Sequence, residues 1–154
     1  MFKSGIIGCT VLAIAVGALF ASSVAPAAAG DIYMVDISDA MASPDFTEKL
    51  DPSIKFYFGA TPHPKVLKSF GAYPTNEKTN AVMKSDRKAC DWVFLSALKK
   101  LQERARELGA NAVINIHSYY DKDDVSNDTQ VTCHAGAIMA GVALRGEFVT
   151  LEGR

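Results

Sequence analysis

The sequence predicts an α+β domain in which one main helix packs on a small, largely antiparallel sheet that carries a single disulfide. The helix is predicted by an apolar stripe within residues 88–108, where apolar residues recur at spacings of 4 and 3. The sheet is predicted by β-rich segments on both sides of this helix, each ended by glycine, proline or polar residues. The disulfide is predicted from an even pair of cysteines, Cys90 and Cys133, in the part of the chain that would remain after export.

The composition is that of one ordinary globular domain. The chain has 154 residues, of which 49% are hydrophobic and 21% charged. These values exclude a disordered tail protein, a collagen-like fibre and a polytopic membrane protein. The formal net charge of -1 supplies no basic surface for nucleic acid, so no nucleic-acid partner is expected.

Residues 1–29 are typical of a cleaved signal peptide. They begin Met-Phe-Lys with the basic residue Lys3, run apolar from Ile6 to Phe20, contain no acidic residue and end in alanines. Cleavage is expected after Ala29. The alternative is a transmembrane anchor that is not cleaved. Glycines interrupt the apolar run, however, and the run is shorter than the ~20 residues that a transmembrane helix requires. We therefore expect a periplasmic protein that begins at Gly30 and has no membrane span.

Residues 30–65 are predicted to form an N-terminal extension of strand and irregular chain. Three short strands are predicted before the helix, at residues 32–37, 53–59 and 66–73. Pro74 is expected to end the third strand, because proline cannot donate to a strand ladder. Residues 75–79 are then expected to be a polar loop.

The helix near residues 88–108 has recognisable ends. Asp91, or Ser85 with Asp86, can cap its start, and Gly109 can end it in the left-handed conformation. Its outward side is rich in basic residues. A solvated helix surface explains these residues most simply, but they are also the candidate partner surface: Lys99, Lys100, Arg104 and Arg106.

The rest of the chain is β-rich. Residues 112–120 predict a strand with Ile114 and Ile116 on one face, and residues 121–128 a polar loop. A long apolar run follows at residues 129–144, interrupted by two glycines. A further short strand at 147–151 is compatible with the pattern, and residues 149–154 are assigned to a C-terminal tail.

Residues 97–144 carry a resemblance to a known family. The run from Ala105 through Leu108-Gly109-Ala110-Asn111-Ala112-Val113 to Ile116, followed by a polar loop and a small-residue strand ending at Leu144, resembles the YbjQ/RcsF group. The resemblance implies a core domain at residues 66–148. Cys90 and Cys133 match the placement of one of the two disulfides found in RcsF proteins, whereas the second pair and the lipid-attachment motif have no counterpart. Some short relatives carry an excinuclease-subunit label, but the chain has no phosphate-binding loop or paired-cysteine zinc motif.

Cys9 would be removed with the signal peptide, and the two cysteines that remain allow one alternative to a disulfide. Thiolate and imidazole groups bind zinc or copper, so Cys90, His117, Cys133 and His134 are candidate metal ligands. Cys133 and His134 are adjacent on a predicted strand and would point to opposite faces. Export also favours oxidation, so the disulfide is the preferred interpretation.

The function predicted from the sequence is that of an exported, non-catalytic envelope protein, a binding or sensing module like RcsF. The sequence contains no recognisable catalytic motif or cofactor-binding motif, so neither turnover nor a cofactor is expected. The expected partner is an envelope protein, and a homo-oligomer is also compatible with the resemblance. A heavy-metal-binding protein is the alternative, and an unrecognised enzyme is the third hypothesis.

Overall fold

The computed structural model describes residues 30–153. The predicted signal peptide lies outside the described residues. In chain order the elements are β1 (Asp31–Asp36), α1 (Ile37–Ala42), α2 (Pro44–Lys49), β2 (Lys55–Phe58), β3 (Val66–Asn80), α3 (Asp86–Leu108), β4 (Ala112–Tyr120), β5 (Asp123–Val125), β6 (Gln130–Ala135) and β7 (Met139–Leu151).

The strands form one sheet in which antiparallel pairing predominates. The main path of paired strands is β1-β6-β7-β4-β2. Two further strands pair outside this path, β3 with β7 and β5 with β4. Only the β2–β4 pair is parallel among the described strands. The mixed α and β content and the largely antiparallel sheet are as predicted. The sheet is larger than expected, with seven strands, and two short helices accompany the long one.

Helix α3 has the ends that the sequence predicts. The Ser85 Oγ accepts a hydrogen bond from the Lys88 N–H at 3.3 Å, and Gly109 ends the helix with φ 73°. The apolar stripe is buried against the sheet from Phe94 to Ala105, mainly over β7 and β3, and its last residue, Leu108, is half-buried. The Cys90–Cys133 disulfide joins the first turns of α3 to β6, with a Cα–Cα distance of 5.8 Å. The predicted single disulfide is therefore present.

Strand β3 does not end at Pro74, contrary to the prediction. Pro74 lies opposite Arg145, and the strand continues to Asn80, so residues 75–79 are strand and not loop. The proline is tolerated because β3 pairs with β7 alone among the described strands. An edge strand loses no sheet hydrogen bond when the position without an N–H faces outward.

Strand β4 contains a bulge that reverses part of the predicted pattern. Asn115 has φ 50°, and one extra residue of β4 fits between the Ile114–Glu147 and His117–Arg145 pairs. Ile116 consequently packs in the main core beneath α3, whereas Ile114 belongs to a second apolar cluster. The prediction that Ile114 and Ile116 share one face is wrong.

The segment after β1 is helical, where irregular chain was expected. Helices α1 and α2 have six residues each, and their main anchor is Phe46, whose ring lies 5.5 Å from that of Phe94. Such short helices depend on packing, because helix nucleation is unfavourable in isolation.

The predicted polar loop at 121–128 contains strand β5, which pairs back on β4 after a turn with positive φ at Asp121 and Lys122. At the other end of the sheet, β7 continues to Leu151, within the predicted tail.

Candidate binding surface

The four basic residues singled out from the sequence lie on two flanks of α3. Lys100 and Arg104 are four positions apart and face β3. Lys99 and Arg106 are seven positions apart, which places them together on another side of the helix. The structure therefore brings the four residues together only in pairs.

The flank that faces β3 forms a groove with a volume of about 480 Å³. We call it the α3–β3 groove. Leu101 and Phe148 lie at its base, where the helix packs on the sheet. The side chains along its two walls are Tyr73, Pro74 and Thr75 from β3 and Lys100, Glu103, Arg104 and Glu107 from α3.

The charges on the helix wall are paired within α3. Lys100 Nζ lies 2.8 Å from Glu103 Oε2, and Arg104 lies 3.3 Å from Glu107. The hydrogen bond between Lys100 and Glu103 raises the pKa of the lysine and lowers the pKa of the glutamate. Because both pairs are exposed, they contribute little to stability and a ligand can replace them. The groove therefore offers both signs of charge.

Aromatic contacts connect the two walls. The Arg104 guanidinium lies over the Tyr73 ring, 4.7 Å from its centroid, and Tyr73 meets Phe148 edge to face at 5.7 Å. Phe148 is fully buried, so it fixes the position of Tyr73 from below. Tyr73 and Phe148 were not among the site residues predicted from the sequence. A strand that continues past Pro74 places Tyr73 and Thr75 on one face, because side chains alternate along a strand.

The other flank is tied to the chain between α2 and β2. Arg106 NH2 lies 3.0 Å from Asp51 Oδ2. The buried Gln102 side chain accepts from the Asp51 N–H at 3.1 Å and donates to the Asp51 carbonyl at 2.7 Å. Hydrogen bonds from Ser53, and then from Arg106, lower the pKa of Asp51 to about 2. Arg106 therefore has a structural role on this flank, and Lys99 remains exposed beside it.

The residues of the metal alternative do not form one site. Both cysteine sulfurs belong to the disulfide, which leaves no thiolate for a metal. Cys133 is in the core beneath α3, whereas His117 lies on the opposite face of the sheet, beside Arg145. His134 follows Cys133 on that opposite face, where its ring stacks on Tyr120 at 3.6 Å and burial lowers its pKa. Within residues 30–153, no three His, Cys, Asp or Glu side chains are grouped closely enough to hold an ion.

His117 belongs to a polar cluster that was not predicted from the sequence. Its Nε2 lies 2.7 Å from Asp124 Oδ1, and its Nδ1 lies 2.7 Å from the carbonyl of Asn115 in the bulge. Arg145 lies 3.7 Å from the second Asp124 oxygen and stacks over Tyr119. The bulge and the β4–β5 turn bring these residues together, and neither is evident from the residue pattern. The cluster ties β5 to the sheet.

Comparison with known proteins gives no further assignment. No protein-family model matches the chain, and no curated protein matches it. None of the helices in the described part of the chain has the length and apolar character needed to cross a membrane. The resemblance of residues 97–144 to the YbjQ/RcsF group therefore stays a prediction from the sequence.

Proposed function

We propose that the protein is an exported, non-catalytic binding module of the cell envelope whose partner docks in the α3–β3 groove. The observation that carries the proposal is the groove itself, which combines an aromatic wall with exposed charges of both signs. The paired cysteines fit an oxidising compartment such as the periplasm. The sequence resemblance to the YbjQ/RcsF group favours the same class of function.

The partner that suits this groove is an extended segment of an envelope protein. Strand β3 pairs with β7 on one side, and its other edge has no strand beside it among residues 30–153. An open edge of this kind can accept an added strand, whose alternate side chains then reach into a neighbouring groove. Pro74 removes one donor from the edge, which limits unspecific pairing there.

Each wall of the groove supplies a different part of the recognition. The Tyr73 ring, held by Phe148, provides a rigid surface for an apolar or aromatic side chain of the partner. Lys100 and Glu103 lie at the rim, where they can exchange their mutual ion pair for one with the partner. Exchange of exposed charges contributes more to specificity than to affinity.

Photo-crosslinking in the periplasm tests the proposal. A photoreactive amino acid placed at Lys100 should capture one discrete envelope protein, with and without envelope stress. The same amino acid at Lys99 is the matched control, because it replaces the same residue type one position away, outside the groove. Capture from Lys99 should be several-fold weaker, and Tyr73→Ala should reduce capture from Lys100.

Two kinds of result would overturn the proposal. The same set of random neighbours from both positions would show that the groove has no specific partner. A stoichiometric ion in the purified protein together with free cysteines would instead support the metal-binding alternative. Turnover of a substrate that Tyr73→Ala leaves unchanged would support the enzyme hypothesis at another site.

A further inference from the structure

The outward edge of β3 has a defined set of unpaired main-chain groups. In an antiparallel ladder, the N–H and C=O groups of successive residues point alternately to the two sides of the strand. The Ala81 N–H donates to the Ile138 carbonyl of the β6–β7 turn at 2.8 Å, in continuous register with the β3–β7 pairs over residues 72–80. The odd-numbered residues from 73 to 79 therefore bond to β7, and the even-numbered residues from 74 to 80 point outward.

Two other observations agree with this assignment. Pro74, which has no N–H, occupies one of the outward positions, so no bond to β7 is lost there. The Asn80 carbonyl, another outward group, accepts from Lys84 Nζ at 2.6 Å. Lys84 therefore closes one end of the open edge, and the irregular pairing between Ser69 and Ala72 limits it at the other end.

The edge that remains has the length of a short peptide strand. Its outward groups are the Pro74 carbonyl and both main-chain groups of Asn76 and Lys78, and none of them has a hydrogen-bond partner within residues 30–153. An extended segment opposite residues 74–78 would pair with all of these groups. Antiparallel pairing is the more stable of the two directions, so it is the expected one.

The α3–β3 groove is the space that side chains of such a strand would fill. Helix α3 packs over β7 and β3, so a strand added beyond β3 lies beneath the outer flank of the helix. Directly opposed residues of an antiparallel pair have their side chains on the same face. The side chains that enter the groove are therefore those opposite Thr75 and Glu77. The position opposite Thr75 borders Tyr73 and Arg104, whose ring and guanidinium are stacked.

Glu77 gives the other position a negative charge. Its Oε1 lies 3.5 Å from Thr75 Oγ1, and it forms no salt bridge within residues 30–153. Glu103 and Glu107, in contrast, are each paired with a basic residue of α3. The pKa of Lys100 is raised mainly by its hydrogen bond with Glu103 and more weakly by Glu77, so Lys100 faces Glu77 but is committed to Glu103. The Glu77 carboxylate therefore favours a basic side chain opposite it.

We propose that the partner adds an antiparallel strand to β3 opposite residues 74–78, with a basic residue opposite Glu77 and an apolar residue opposite Thr75. Because the two strands run in opposite directions, the partner segment carries the basic residue two positions before the apolar one. This inference rests on the proposed function, since it takes the α3–β3 groove as the binding site. It adds the direction, the length and the side-chain chemistry of the bound segment.

Peptide selection on the purified, exported protein tests the side-chain part of the proposal. The probe is a library of random peptides displayed on phage. The enriched peptides should carry a basic residue two positions before an apolar one. Selection on the Glu77→Lys variant should replace the basic residue by an acidic one. The matched control is Glu48→Lys, the same substitution at an exposed position of α2, which should leave the preference unchanged.

N-methylation of the strongest peptide, made synthetically, tests the main-chain part. In an antiparallel added strand, the residues that face the groove direct their N–H groups away from β3. Methylation of their nitrogens should be tolerated, whereas methylation at the intervening residues should weaken binding at least about tenfold. Alanine substitution should show the opposite alternation. On the protein, Asn76→Pro removes an outward N–H, and Asn76→Ala, which keeps it, should bind at least about tenfold more tightly. Circular dichroism verifies that each variant is folded.

Several results would overturn the proposal. N-methyl and alanine effects at the same positions would indicate parallel addition. Effects without a two-residue period, equal binding by Asn76→Pro and Asn76→Ala, or no enriched peptide at all would exclude strand addition. A charge preference that Glu77→Lys leaves unchanged would refute the basic residue, and dimerisation through β3 would identify a second copy of the chain as the occupant. Failure of the proposed function is distinguishable, because photo-crosslinking from Lys100 captures a partner of the groove whatever its main-chain arrangement.

Discussion

Removal of the Cys90–Cys133 disulfide should lower the stability of the fold strongly. The double variant Cys90→Ala/Cys133→Ala removes the bond without leaving a free thiol. The two residues are 43 positions apart, so the bond closes a loop that contains most of α3 and strands β4 and β5. Restricting the unfolded chain over a loop of this length corresponds to about 4 kcal/mol in the chain-entropy treatment.

The expected loss is a large part of the total free energy of unfolding. Single domains are commonly stable by about 5–15 kcal/mol, so the variant should remain folded but with a small margin. Urea unfolding followed by circular dichroism measures the change. With a typical denaturant slope of about 2 kcal/mol/M, the midpoint should fall by about 2 M.

Wild-type protein unfolded in the presence of reductant is the matched control. It loses the bond but keeps both sulfur atoms, which are fully buried in the core. Its midpoint should fall nearly as far as that of the variant, and the difference between them measures the packing of the sulfurs. An unchanged midpoint in the double variant would refute the loop argument. Labelling of both cysteines in the untreated wild type would refute the bond itself.

Three further predictions concern packing, pH and processing. Gly146→Ala would place a methyl group 2.5 Å from Val113 Cγ1 and should cost about 1–3 kcal/mol in urea unfolding. Gly141→Ala on the same strand meets nothing closer than 3.6 Å and should have little effect, so equal losses would contradict the packing argument. The pKa of Asp51 is lowered from 3.8 to about 2, so its ionised form stabilises the fold above pH 3.8 and this stability is lost as the pH falls towards 2. Asp51→Asn should flatten that part of the stability profile, and an unchanged profile would refute the assignment. Intact mass of the exported protein should correspond to a chain that starts at Gly30, and retention of residues 1–29 would contradict the predicted cleavage.

Features set by local sequence were predicted well. The start of α3 depends on a hydroxyl at Ser85 that reaches an N–H three residues later, and its end depends on the left-handed conformation of Gly109. Both signals act within one turn of helix. The apolar stripe between them also has a fixed period, because a helix returns to the same side every 3.6 residues or so.

Features set by neighbouring strands were predicted poorly. Whether Pro74 ends a strand depends on whether its missing N–H faces a neighbour or an open edge, and the residues around it do not reveal that. The faces of Ile114 and Ile116 depend on a bulge at Asn115, which the register of β7 defines. A shift of one residue moves every later side chain to the other face.

The sequence by itself predicted the long helix and its ends, the Cys90–Cys133 disulfide and the largely antiparallel sheet. Each of these follows from a periodic pattern, a local cap or the count of one residue type. Only the tertiary structure decided that the basic residues of α3 lie on two flanks with different neighbours. Lys100 and Arg104 border the α3–β3 groove, whereas Arg106 is bound to Asp51. The physical reason is that each flank meets side chains far from it in sequence, Tyr73 of β3 beside Arg104 and Asp51, 55 residues away, beside Arg106, so only the packing of α3 decides the environment of each charge.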